Sequence, residues 1–236
     1  MNLLALESST LLGSAALVVN GQIIAEKSSR RQKSHSEVLN TFIDELLAGA
    51  GLKLSDIDAF AVGKGPGSFT GLRIAGNIGK TLAYSFQKPM IAIDSLTLLA
   101  APAPRNLPVC AMINAYKNMV YYGLFKNQEG FPEFIKGPGV IPVQSLDEIL
   151  TEKCLVVGDG FATYSPYFAK TVSALMVRNE KIADEPTASS LGKLAFEQFQ
   201  KGLTLDWKSF VPLYIRASEA EETKRGLFIP SLKKDE

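Results

Sequence analysis

The chain has one histidine, His35, and two cysteines, Cys110 and Cys154, among its 236 residues. That scarcity removes whole classes of chemistry. Two distant cysteines without a CxxC partner make neither a disulfide framework nor a zinc knuckle. A transition-metal site would have to rely on carboxylates, and the sequence clusters none. A Ser-His-Asp hydrolase would have to recruit His35, and no GxSxG elbow is present. His35 lies in Ser34-His35-Ser36-Glu37, a capping box at a helix entry, which favours a structural role. Charge of one sign is lacking too. Lys plus Arg is 25 and Asp plus Glu is 24, so the net +1 argues against a general polyanion binder, although a local basic patch is compatible with it. No apolar run approaches the ~20 residues of a membrane span. Met1-Asn2 supplies no basic n-region, so Leu3–Leu6 reads as a buried strand and not a signal peptide, and the protein is expected in the cytoplasm. The length suits one large domain or two small lobes.

What is present is organised around Gly63-Lys64-Gly65-Pro66-Gly67-Ser68-Phe69-Thr70-Gly71. An apolar strand over 57–62 runs into this loop, and a helix follows from Leu72 to Phe86. Ser68 or Thr70 can cap that helix by accepting one of its orphaned N–H groups. Ala75, Gly79 and Ala83 recur every four residues and line one face, onto which another backbone can close. Glycine costs roughly 1 kcal/mol relative to alanine inside a helix, so Gly71, Gly76 and Gly79 imply close packing that outweighs this cost. The stretch offers N–H groups for an anion and a flat helix face for a neighbour. Gly79-Lys80-Thr81 copies the end of a Walker A loop, but Ile74 stands where that loop needs glycine and the triplet is inside the helix.

The rest of the chain fits an α/β protein. Leu3–Leu6, Gly13–Val19 and Gln22–Lys27 read as strands, with Asn20-Gly21 as a type I′ hairpin turn. A helix to about Ala48 carries Val38, Leu39, Phe42, Ile43, Leu46 and Leu47, a stripe wider than one sheet contact needs. A strand at Pro89–Ile93 and a short helix capped by Asp94 or Ser95 complete the order βββαβαβα. Ala101-Pro102-Ala103-Pro104 is a stiff linker. Beyond it the pattern restarts. Val109–Asn114 is a strand, and Met119–Phe125 and Phe131–Ile135 form a hairpin about Asn127–Gly130. Ser145-Leu146-Asp147-Glu148 is a second capping box, Leu155–Val157 a strand, and Thr187–Lys201 a last helix. The repeated topology predicts two similar lobes, 1–103 and 104–224, followed by a frayed tail at 225–236.

Two turns could carry chemistry. Glu7-Ser8-Ser9-Thr10, with an acid and three hydroxyls after the first strand, could hold Mg²⁺ and a phosphate, or be a polar turn satisfying its own backbone. Gly158-Asp159-Gly160 could be a second phosphate turn, or simply a tight left-handed one. The wide stripe of the first helix and the small-residue ridge of the second mark either a partner site or burial beneath the second lobe.

Leu4–Ser9, Gly63–Ile74 and Pro212-Leu213-Tyr214-Ile215-Arg216 together resemble the TsaB family, formerly YeaZ, over nearly the whole chain. The resemblance implies an actin/Hsp70/sugar-kinase-like (ASKHA) fold of two duplicated lobes with mixed sheets flanked by helices. It also implies a non-catalytic, pseudo-enzyme subunit in threonylcarbamoylation of the adenosine beside the tRNA anticodon. Its partner would be a TsaD-like catalytic subunit, or a second copy when that is missing. A TsaE-like ATPase would join the complex, and tRNA would be met only through it. The implied partner-binding residues are Val38, Phe42 and Leu46 on the first helix and Leu72, Ala75, Gly76, Gly79 and Ala83 on the second, while Glu7, Ser9, Gly158 and Gly160 would be vestigial phosphate turns. No cofactor would be required by this chain, with ATP or ADP binding left to the complex. The catalytic sibling, TsaD, carries its metal on two histidines four apart, where this chain has Ser95 and Leu99. Two departures from the TsaB pattern stand out: Asn114-Ala115-Tyr116 replaces the usual Asp-Ala-Arg, and Glu7 stands where Asp is frequent. The competing expectation is a small ATP-dependent phosphotransferase of the same fold, using Glu7 for Mg²⁺ and the Gly158 turn for phosphate.

Overall fold

The computed structural model describes residues 1–30, 35–126 and 131–217, with the side chains of 35–37 left out. The capping box at Ser34–Glu37, the hairpin turn at Asn127–Gly130 and the tail at 225–236 therefore lie outside the described residues. Two compact units emerge: Met1–Leu98 with Pro186–Leu213, and Leu99–Glu185 with 214–217.

In the first unit, the apolar runs of β1 (Asn2–Glu7), β2 (Leu12–Val19), β3 (Gln22–Arg30), β4 (Ala59–Gly63) and β5 (Met90–Ile93) form a sheet of order β3-β2-β1-β4-β5. The register puts Leu4 opposite Leu17 on the antiparallel side of β1 and opposite Phe60 on its parallel side. Side chains alternate across the sheet, yet Leu3 through Leu6 are all buried, which requires cover on both faces. On one face Leu4, Leu6, Ala15 and Leu17 meet α1 (His35–Ala50) and α2 (Phe69–Phe86). On the other, α6 (Ala188–Gln200) packs so closely that a β-carbon on Gly192 would lie 2.5 Å from Val18 and 3.7 Å from the Ala5 β-carbon.

The second unit repeats the scheme. Its strands are β6 (Val109–Asn114), β7 (Met119–Lys126), β8 (Glu133–Pro142), β9 (Cys154–Val157) and β10 (Met176–Val177), in the order β10-β9-β6-β7-β8. As in the first sheet, the first strand of the unit has an antiparallel hairpin on one side and parallel strands on the other. This is the duplicated two-lobe ASKHA architecture expected from sequence. Three short helices complete the set: α3 (Ser95–Ala100), α4 (Asp159–Tyr164) and α5 (Lys170–Ser173).

Local differences from the sequence reading include an α2 that starts at Phe69, a β8 that runs on to Pro142, the unread β10, and three more. The box at Ser145–Glu148 opens no α-helix: 143–148 is a 3-10 segment in which Ser145 is non-helical (φ −100°, ψ 17°), because so few residues separate it from β9 that an α-helical nucleus gains too little. Helix α1 continues through Gly49 to Ala50. The last helix, placed by sequence within 104–224, packs on β1 and β2 of the first unit, where it covers the sheet face opposite α1 and α2. No helix among the described residues is long and apolar enough to cross a membrane.

Candidate functional site

At the end of β1 the chain turns sharply and locks against the glycine loop. Ser68 is the N-cap of α2, its hydroxyl accepting from Gly71 N at 3.3 Å. Ser68 N donates to the Ser9 carbonyl at 2.7 Å, and the Ser8 hydroxyl donates to the Gly71 carbonyl at 2.8 Å. The approach is so tight that a β-carbon on Gly71 would fall 1.8 Å from the Ser8 carbonyl oxygen. Glycine is required there by contact alone.

The Glu7 carboxyl lies in the middle of this lock. It is fully buried. Oε1 accepts from Ser9 N at 2.6 Å, and Oε2 accepts from the Ser95 hydroxyl at 3.4 Å. Burial pushes its pKa up from 4.5 to about 7, while the polar groups of Ser9, Ser95 and Ser8 pull the other way. Ser9 Oγ is buried and makes no hydrogen bond. Asp94, also buried, caps α3: Thr97 N and Thr97 Oγ1 donate to its carboxylate at 2.8 and 2.6 Å. Burial raises the Asp94 pKa, opposed by Thr97 and by the Lys64 charge. Sequence reasoning found Glu7 and Ser9 and missed that Ser95 reaches the same turn.

The second turn is also closed by a carboxylate of its own chain. Gly158 adopts φ +111°, and a β-carbon there would lie 2.0 Å from the Met112 carbonyl oxygen. Its N–H donates to Asp184 Oδ1 at 2.8 Å. Asp184 Oδ2 pairs with Arg178 at 2.6 Å, and Arg178 donates in turn to the Val156 carbonyl and stacks over the Phe161 ring. The donor that a phosphate would need is already engaged. Gly160 is buried, its missing β-carbon 3.0 Å from that of Met112. Next to it Asn114 Oδ1 accepts from Tyr116 N at 2.8 Å and from the Tyr164 hydroxyl at 3.1 Å. Tyr116, Lys117 and Asn118 are all left-handed, and the Arg216 guanidinium donates to the Ala115 and Tyr116 carbonyls. Arg216 of the Pro212–Arg216 motif thus buttresses the turn that departs from Asp-Ala-Arg.

Of the helix residues singled out by sequence, Leu46, Leu72, Ala75, Gly76, Gly79 and Ala83 are buried inside the first unit. The ridge faces this chain's own sheet, since a β-carbon on Gly79 would lie 2.5 Å from Val62, and Gly76 beside it meets the segment after the last 3-10 turn, where a β-carbon would lie 2.7 Å from Phe210. The reason is that α2 has to seat directly on β4. Val38 and Phe42 are half-buried, as are Ile74, Ile78 and Leu82 on α2, which sequence reasoning did not single out although they follow the i, i+4 spacing. Ser95 and Leu99, where TsaD-type chains have histidines, are both buried. No group of three His, Cys, Asp or Glu able to hold a metal occurs among the described residues.

Residues 22–224 match the family model described as TsaD: tRNA N6-adenosine threonylcarbamoyltransferase. Among curated proteins, the tRNA threonylcarbamoyladenosine biosynthesis protein TsaB of Haemophilus influenzae is 31% identical over 228 residues, covering 92% of this chain and 94% of the relative. The TsaB of Escherichia coli is 28% identical over 93% of this chain and 96% of its own length. A solved YeaZ from Pseudomonas aeruginosa superposes with a TM-score of 0.79 at 29% identity, covering 90% of this chain and 99% of that one. With the lock of β1 on the glycine loop and the two matching sheets, these likenesses place the chain in the TsaB (YeaZ) family of tRNA threonylcarbamoyladenosine biosynthesis proteins, within the wider group that the TsaD model describes.

Proposed function

We propose that the chain serves threonylcarbamoylation of the tRNA adenosine beside the anticodon as a non-catalytic subunit, binding a TsaD-like catalytic chain through the outer surface of α1 and α2. The observation that carries this reading is the band of half-buried apolar side chains, Val38, Phe42, Ile74, Ile78 and Leu82, left on two neighbouring helices after their inner faces are filled. The buried ridge of α2 contributes indirectly, by seating the helix. A second copy of the chain would occupy the same surface when the catalytic subunit is missing, and a TsaE-like ATPase would join through the catalytic subunit.

The absence of chemistry in this chain is supported by what fills its turns. Glu7 and Asp184 each take the backbone N–H that a phosphate would need, and Ser95 and Leu99 supply no imidazole. A phosphotransferase relying on Glu7 would need a charged, open carboxylate, whereas this one is fully buried and burial pushes its pKa up to about 7.

The test is co-expression with a TsaD-like chain and size-exclusion chromatography of the product. A one-to-one complex is expected, lost in Ile78→Asp or Phe42→Asp while each variant keeps its circular dichroism. Variants that bind normally would move the interface elsewhere. Substitution at Gly79 is no test of docking, since it reports on the core.

A further inference from the structure

One surface feature is used neither by the closed turns nor by the apolar band. Tyr84, on α2, leaves 57% of its surface exposed, while its ring meets Trp207 edge-on at 5.0 Å and 67°. Trp207 belongs to a short 3-10 turn, Trp207–Ser209, packed on α2. A groove of about 410 Å³ is lined by Asn77, Lys80, Thr81, Tyr84 and Trp207. A second, of about 320 Å³, shares Trp207 and includes Lys88. Lys208 Nζ stands 5.4 Å from the Trp207 ring centre, and Lys80 Nζ is steadied at 3.4 Å by the Phe210 carbonyl. Helix α2 has no acidic residue. The acid in the second groove, Asp206, has one carboxylate oxygen engaged by Lys208 N.

An exposed aromatic edge, an amide and three lysines around two short grooves suit a flat π-face attached to a negative backbone. A purely apolar peptide would offer no counterpart to the Asn77, Lys80 and Thr81 side chains along the first groove. A folded polyanion would need only the charges, leaving the Tyr84–Trp207 pair without a purpose. Base stacking on aromatic side chains combined with lysines at phosphates is how single strands are held without sequence reading. We propose that this groove takes an unpaired base of an RNA strand, with Lys80, Lys88 and Lys208 at the flanking phosphates. The inference rests on the tRNA-directed reading above and adds to it a direct contact with RNA by the non-catalytic chain.

Trp207 is the chain's single tryptophan, so its fluorescence reports on the groove directly. The intact chain is titrated with a short RNA hairpin bearing an unpaired loop, with a fully paired RNA duplex of equal length, with ATP, and with an acidic peptide. Saturable quenching by the hairpin is expected, stronger than by the duplex. Tyr84→Ala, whose exposed ring makes it safe for folding, weakens hairpin binding roughly tenfold. Lys208→Gln and Lys80→Gln each flatten the salt dependence by about 0.7 in the log–log slope. Equal hairpin binding by Tyr84→Ala, equal quenching by duplex and hairpin, or preferential quenching by ATP or the acidic peptide overturns the proposal. Capture of a TsaD-like chain is measured separately on Tyr84→Ala. Intact capture without RNA binding by the parent chain sinks this inference alone, whereas lost capture by Phe42→Asp with RNA binding retained bears on the interface alone.

Discussion

The carboxyl of Glu7 occupies the space a side chain at Gly63 would need: a β-carbon there would fall 1.7 Å from Oε2. Gly63 closes β4 beside β1, so the two residues are held together by sheet register. Gly63→Ala must therefore expel the carboxyl from its donors, Ser9 N and the Ser95 hydroxyl. Stranding buried polar groups costs about 1–3 kcal/mol each, so a loss of about 2–4 kcal/mol is expected in urea unfolding. A loss below about 0.5 kcal/mol would show that the lock is loose.

The same carboxyl sets a pH dependence. Its pKa is raised on folding from 4.5 to about 7, so between those values the folded state keeps a proton that the unfolded state has released. Stability is then fully present below pH 4.5, falls as pH rises through 7, and levels off above it, a total of about 3 kcal/mol from this group. Asp94, also raised by burial, adds in the same direction. Glu7→Gln removes most of this slope, and denaturation midpoints measured from pH 4.5 to 8 check it. An unchanged slope in the variant would assign the titration to another group.

Two glycines on neighbouring helices should respond in opposite ways. Gly79→Ala places a β-carbon 2.5 Å from Val62 and 3.2 Å from Met90, an overpacking expected to cost about 1–3 kcal/mol. Gly49→Ala, within α1 with nothing inside 4 Å, should stabilise by about 0.5 kcal/mol. Thermal melts of the pair decide whether α2 is seated as tightly as described.

Asp184→Ala should leave the Gly158 N–H and the Arg178 guanidinium without their shared partner. Both ion-pair side chains are about a quarter exposed, 24% and 26%, so water recovers part of the loss and a cost of about 1–2 kcal/mol is expected. Asp184→Asn, which keeps an acceptor for Gly158, should recover part of it. A null result in both would mean that the turn holds its shape without the carboxylate.

Most strands, the Asn20-Gly21 turn, a hydroxyl cap at Ser68 or Thr70, the helix opening at Thr187 and the repeated topology were legible in the sequence because each is set by neighbours along the chain, whereas the two-residue β10 and the far half of β8 were not. The glycine loop was legible for the same reason, since helix start and strand end lie within a few residues. What tertiary structure alone decided are contacts between distant positions. Gly158 meets Asp184 across 26 residues, and Ser95 meets Glu7 across 88. The α2 ridge faces the sheet because Val62 is there to receive it, Gly76 beside it meets Phe210, and α6 crosses back to the first unit, where it packs on β1 and β2. Tyr84 and Trp207, far apart in the chain, form a pair only once α2 and the last 3-10 turn are packed. Spacing tells which side chains share a face, and only the burial of the opposite surface tells which face remains free.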